Sequence, residues 1–116
     1  MGQFTKNYKS VRKNGEFQYL FKKGESIVTY AFVCYFKPNG RRVNRLGVIA
    51  SKKIGNAVKR NRARRIIKEA FRLAQPLITE KTDKRCDFVF VARGKTPSLG
   101  SQQIYELLIK QLLPKL

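Results

Sequence analysis

The residues able to do chemistry crowd into one stretch, residues 51–71, which reads SKKIGNAVKRNRARRIIKEAF. Lys52, Lys53, Lys59, Arg60, Arg62, Arg64, Arg65 and Lys68 lie inside it, Arg72 follows it, and Glu69 is its one acid. Ammonium and guanidinium groups at this density bind polyanions; they break no bonds themselves. Elsewhere the chain offers little that would. Histidine is absent, so there is no imidazole to act as general base. The seven acids are Glu16, Glu25, Glu69, Glu80, Asp83, Asp87 and Glu106, and no DxD or ExxE spacing for a two-metal nuclease occurs among them. There is no glycine-rich phosphate loop of the P-loop pattern. Cys34 and Cys86 each sit within an apolar run, and two cysteines without histidine make no zinc site; two buried free thiols are expected. The chain is expected to bind rather than to catalyse.

The cations need a rigid carrier, and the sequence supplies one. Gly55 breaks what precedes it, and Asn56 is a good N-cap for a helix over 57–74. At helical spacing Ala63, Ile66, Ile67, Ala70, Phe71 and Ala74 fall on one face. Asn61, Arg64, Arg65, Lys68 and Arg72 form a neighbouring ridge, and Glu69 is placed across from it, where it does not neutralise it. Like charges four apart repel by a few tenths of a kcal/mol each. A polyanion relieves that repulsion.

The other elements follow in order. Residues 1 to about 13 are polar and basic and read as an extended arm. Asn14 caps a short helix over 15–23, closed by Gly24, with Phe17, Leu20 and Phe21 on one face. Residues 30–37 are aromatic and β-branched and read as a strand. Pro38-Asn39-Gly40 reads as a hairpin turn into an antiparallel strand over 43–51. The basic helix comes next, and Pro76 ends or interrupts it. Residues 77–85 read as a polar loop. Residues 86–93, CDFVFVAR, read as a central strand covered on both faces. Ser98 or Ser101 caps a last helix over 101–113, stopped by Pro114. The sum is a single α+β domain, 1–116, with helices packed on a mainly antiparallel sheet.

Composition narrows the partner. Of 116 residues 26 are Lys or Arg and 7 are Asp or Glu, a net charge of +19, while 42% apolar content is enough for a core. Nucleic acid is the first partner to consider and an anionic membrane surface the second. No apolar run approaches a membrane span, and the N-terminus carries no secretory apolar segment, so a cytoplasmic location is expected. RNA is favoured over DNA. The basic helix has few Asn or Gln to read a major groove, whereas Phe17, Phe21, Tyr30, Phe32, Tyr35 and Phe36 are rings of the kind that stack on unpaired bases. For Phe17, Leu20 and Phe21 the simpler reading is a helix face packed on the sheet. Tyr35 shares its strand face with Ala31 and Val33, which leaves room for a groove beside it.

Residues 45–71, RLGVIASKKIGNAVKRNRARRIIKEAF, resemble the protein component of bacterial ribonuclease P. The SKKxGNAVxRNRxxR core matches that family's signature, and NGEFQYLFKKG, FVCYF and FVFVAR give further matches along the chain. The resemblance implies an α-β-β-β-α-β-α sandwich like domain 2 of ribosomal protein S5, with a left-handed β-α-β crossover around the basic helix. It implies an accessory subunit to a large catalytic RNA that cuts precursor tRNA at the mature 5′ end, with Mg2+ bound mainly by the RNA. Carried over by position, Lys52, Lys53, Asn56, Arg60, Asn61, Arg62, Arg65 and Lys68 contact the catalytic RNA. Lys68 stands where arginine is common, which keeps the charge and loses the bidentate fork. Phe17, Phe21 and Tyr35 line a cleft for the single-stranded 5′ leader, so the two phenylalanines are expected to be partly exposed. The expected state is a monomer, one per RNA, away from membranes. A ribosomal protein or general RNA-binding chaperone fits the composition equally well and lacks only the signature. A helix-turn-helix regulator of DNA fits poorly, because a strand rather than a short helix precedes the basic helix.

Overall fold

A computed structural model describes residues 8–10 and 14–116. Its elements are β1 (Tyr8–Ser10), α1 (Asn14–Lys23), β2 (Glu25–Val28), β3 (Phe32–Pro38), β4 (Asn44–Ile49), α2 (Ala57–Lys81), β5 (Cys86–Ala92) and α3 (Ser101–Leu107). The strands form one sheet in the order β1-β4-β5-β3-β2. Apart from the short β1, this is the mixed α+β succession expected from the family resemblance. Of the N-terminal arm, Tyr8–Ser10 is a strand parallel to β4; the rest, 1–7 and 11–13, lies outside the described residues.

Four expectations are corrected. The sheet is mixed, not mainly antiparallel: β1–β4 and β4–β5 run parallel, β2–β3 and β3–β5 antiparallel. Pro38-Asn39-Gly40 does not close a hairpin, because β5 lies between β3 and β4. Asn39 bonds instead toward β5. Its N–H donates to the Arg85 carbonyl at 2.8 Å and its Nδ2 to Asp87 Oδ1 at 2.9 Å, while Gly40 supplies the turn with φ +66°. Next, α2 runs through Pro76 to Lys81, where a loop was expected. An interior proline costs about 3 kcal/mol. Burial of Ile78 and a bond from Asn44 Nδ2 to Gln75 Oε1 at 3.0 Å offset that cost. Last, the final helix is capped by Gly100, whose N–H donates to Gln103 Oε1 at 2.8 Å, and not by Ser98 or Ser101. It loosens into a π turn, Leu108–Leu112, and a 3-10 turn, Leu113–Lys115.

The main core lies between the sheet and the pair α2 and α3. Phe32, Cys34 and Phe36 of β3, Leu46 of β4 and Phe88 and Phe90 of β5 face Ile67, Phe71 and Ala74 of α2 and Ile104, Leu108 and Leu112 of the C-terminal helix. Phe71 sits 5.3 Å from Phe88 and 5.9 Å from Phe90, ring centre to ring centre. Cys34 and Cys86 are free and buried in this layer, and burial pushes both thiols up. Among the described residues, the opposite face of the sheet carries one helix, α1. Leu20 and Val89 are fully buried there, with Phe17, Phe21, Tyr35 and Ile49 partly buried around them.

Candidate nucleic-acid interface

The basic surface is built by local rules. After β4 the chain makes a 3-10 turn, Lys52–Ile54, whose Ser51 hydroxyl accepts from the Lys53 N–H and whose Ile54 is buried as an anchor. Gly55 follows with φ +140°, a conformation that L side chains rarely adopt, and a Cβ there would stand 2.8 Å from Lys59 Cδ. Asn56 caps α2 as expected, its Oδ1 accepting from the Lys59 N–H at 3.0 Å. The turn therefore points Lys52 and Lys53 outward beside the first turn of α2.

The eight residues expected to contact RNA share this surface, but they are not equally free. Arg60 Nη1 donates to the Gly55 carbonyl at 2.9 Å and so ties helix to turn. Arg62 Nε donates to the Pro97 carbonyl at 2.7 Å and ties α2 to the 3-10 turn Thr96–Ser98. Asn61 accepts from Arg64 Nη1 at 2.8 Å. Lys52, Lys53, Arg65 and Lys68, with Lys59, are exposed and form no ion pair or hydrogen bond through their side chains among the described residues. One ridge assignment is corrected. Glu69 reaches Arg72 at 2.7 and 3.0 Å, so Arg72 is neutralised, and its guanidinium holds the Glu69 carboxyl below the usual carboxylate range. An acid three residues before a cation is a helix neighbour, a pairing that the choice of faces overlooked.

On the α1 side of the sheet three rows of residues run across β3, β5 and β4. They are Val33–Val91–Ile49, Tyr35–Val89–Gly47 and Lys37–Asp87–Arg45. Phe21 meets Tyr35 edge-on, with ring centres 4.8 Å apart. Phe17 and Phe21 of α1 and Tyr35 of β3 are each half-buried and so combine anchorage with open ring surface. The structure brings the three together. The end of the row at Ile49 leads directly into the basic turn, because that turn follows β4.

At the opposite end lies an ion-pair cluster that the sequence reading missed. Arg45 grips Asp87 through two bonds, 2.8 and 2.6 Å, and reaches Glu16 of α1 at 2.8 Å. These bonds, the one to Asp87 foremost, raise the proton affinity of the guanidinium. The signal was present: Asp87 is the one acid inside an apolar strand, and a buried carboxylate needs a cation. Among the described residues no group of three or more His, Cys, Asp and Glu could hold a metal ion. The carboxylates of Glu16 and Asp87 are engaged by Arg45, a donor set that does not fit a divalent cation. Among the described residues no helix is long and apolar enough to cross a membrane.

A protein-family model described as Ribonuclease P matches residues 5–116. The chain belongs to the ribonuclease P protein family. Ribonuclease P protein components from Clostridium botulinum and Caldanaerobacter subterraneus resemble it closely. The first is 39% identical over 102 residues, covering 88% of this chain and 89% of that protein. The second is 38% identical over 105 residues, covering 90% and 86%. Solved ribonuclease P proteins share the fold. That of Staphylococcus aureus superposes with a TM-score of 0.74 at 35% identity, covering 89% of this chain and 91% of its own. That of Thermotoga maritima gives 0.75 at 28% identity, covering 93% and 97%. Family membership favours the ribonuclease P reading over the ribosomal and chaperone alternatives.

Proposed function

We propose that the chain is the accessory protein subunit of ribonuclease P, the ribonucleoprotein endonuclease that removes the 5′ leader from precursor tRNA. The catalytic RNA binds the exposed cations of the basic turn and α2, and the single-stranded leader lies in the cleft under α1. The observation that carries this reading is the half-buried trio Phe17, Phe21 and Tyr35, set on the face of the sheet that ends at the basic turn.

Each component has a physical task. Lys52, Lys53, Arg65 and Lys68 have no carboxylate partner among the described residues, so phosphates can take that place and release counterions on binding. Arg60, Arg62, Asn56 and Asn61 make hydrogen bonds within the protein that fix the turn and helix presenting those cations; Arg60 and Arg62 keep further N–H donors for RNA. Phe17, Phe21 and Tyr35 offer ring faces to unpaired bases. The cleft adds affinity for precursor over product, because only the precursor carries a leader. Bond cleavage is assigned to the RNA, with its Mg2+, since the chain has no histidine and its described acids are dispersed or paired. The protein acts as a monomer, one per RNA, in the cytoplasm.

Base stacking on an aromatic ring is worth about 1–3 kcal/mol by alanine substitution. Tyr35→Ala or Phe17→Ala in the holoenzyme is therefore expected to weaken precursor binding about tenfold and to leave mature tRNA binding nearly unchanged. Equilibrium binding of the two ligands to each variant checks this. Equal losses for precursor and mature tRNA would remove the cleft assignment.

A further inference from the structure

Beyond the aromatic trio, the same face of the sheet opens into a cavity of about 380 Å³ between α1 and the segment that leaves β3. Tyr19 and Leu20 line it from α1, and Lys37 and Arg41 from the other side. Its carboxylates, Glu16 and Asp87, are already engaged by Arg45. Tyr19 is 54% exposed, unusual for so large a ring. Lys37 Nζ lies 6.0 Å from the centre of that ring. The Arg41 side chain makes no hydrogen bond or ion pair among the described residues, while its backbone N–H is held by Asn39 Oδ1 at 2.8 Å. The cavity thus presents an open aromatic face, two cations free of carboxylates and an ordered turn. That chemistry suits a nucleotide: a ring to stack a base, cations to meet phosphates.

Its place in the fold selects the source of that nucleotide. Tyr35 and Lys37 are successive same-face residues of β3, so the cavity continues the cleft. Leu20, buried beneath the trio, also lines the cavity. The basic turn follows Ile49 at the other end of the rows. A strand that leaves the basic end and passes Phe17, Phe21 and Tyr35 therefore arrives here. We propose that Tyr19, Lys37 and Arg41 form a distal subsite for single-stranded RNA, taking leader nucleotides further 5′ than those held by the trio. The assignment rests on the leader-cleft reading above.

The experiment uses the holoenzyme, reconstituted with ribonuclease P RNA, and precursor tRNAs whose leaders lengthen one nucleotide at a time. With the unaltered protein, affinity is expected to rise in two stages, the first as the leader fills the trio and the second as it reaches the cavity. Tyr19→Ala, or Lys37→Ala with Arg41→Ala, abolishes the second stage, a loss of about tenfold, and keeps the first. Lys110→Ala removes an exposed charge on the helix packed against the opposite face and keeps both stages. A single-stage rise, or a second stage that survives in the Tyr19→Ala protein, overturns the subsite while leaving the leader cleft standing. No rise at any leader length overturns both.

Discussion

Phe71→Ala is expected to lower the stability of the protein by about 4 kcal/mol. Phe71 is fully buried and is the ring of α2 that meets both Phe88 and Phe90. Truncation removes its burial and leaves a cavity that the flanking Ile67 and Ala74, on rigid helical backbone, cannot fill. A domain of this size is stable by only about 5–15 kcal/mol, so a large fraction is lost. The functional cost follows from position. Phe71 lies on the same helix as Arg65 and Lys68, and loosening its seat lets those cations wander. Urea unfolding should show the midpoint falling with an unchanged slope. A loss below about 1 kcal/mol would mean that α2 is not held to the sheet through this ring.

Arg45→Ala is expected to cost about 3 kcal/mol, the lower end for breaking a buried pair, since the side chains of Arg45, Asp87 and Glu16 keep some contact with water. The loss exceeds the worth of the bonds themselves, because the partly buried carboxylate of Asp87 loses the cation that grips it and Glu16 loses its bond to Arg45. Arg45→Met with Asp87→Asn should cost less than the sum of the two single changes, since the double variant strands one charge fewer. The damage should also be directional. Arg45 joins β4 and β5 to α1 through Glu16, so amide exchange in α1 should accelerate more than exchange in α2. Equal acceleration in both helices would assign Arg45 to global stability alone, with no part in holding the wall of the cleft.

Local signals were legible in the sequence. Asn56 reads as a cap, and it caps. The apolar spacing of Ala63, Ile66, Ile67, Ala70, Phe71 and Ala74 reads as a buried face, and all six are buried. The apolar run that became β5 reads as a central strand, and it is flanked on both sides. Non-local choices were not legible. Asn39-Gly40 suits a hairpin as well as the turn observed, and nothing near it announces that residues 86–92 insert between the strands it joins. Pro76 carries a local penalty outweighed by Ile78, whose burial depends on the sheet. The same limit applies to the interface. Charge density marks residues 52–72 as a polyanion surface, but that Arg72 belongs to Glu69 and that Arg62 Nε bonds the Pro97 carbonyl are matters of packing. The aromatic trio shows the reverse. Phe17 and Phe21 read most simply as core, and their partial exposure goes with α1 being, among the described residues, the one helix on its face of the sheet.

The most direct measurement is reconstitution. The purified protein, a bacterial ribonuclease P RNA and a precursor tRNA are mixed at near-physiological salt and low magnesium, and the 5′ end of the product is mapped. The account predicts rapid cleavage at the mature 5′ end only when protein and RNA are both present, with no cleavage by the protein alone. RNA binding without stimulation of that cleavage, or cleavage by the protein without the RNA, would contradict it.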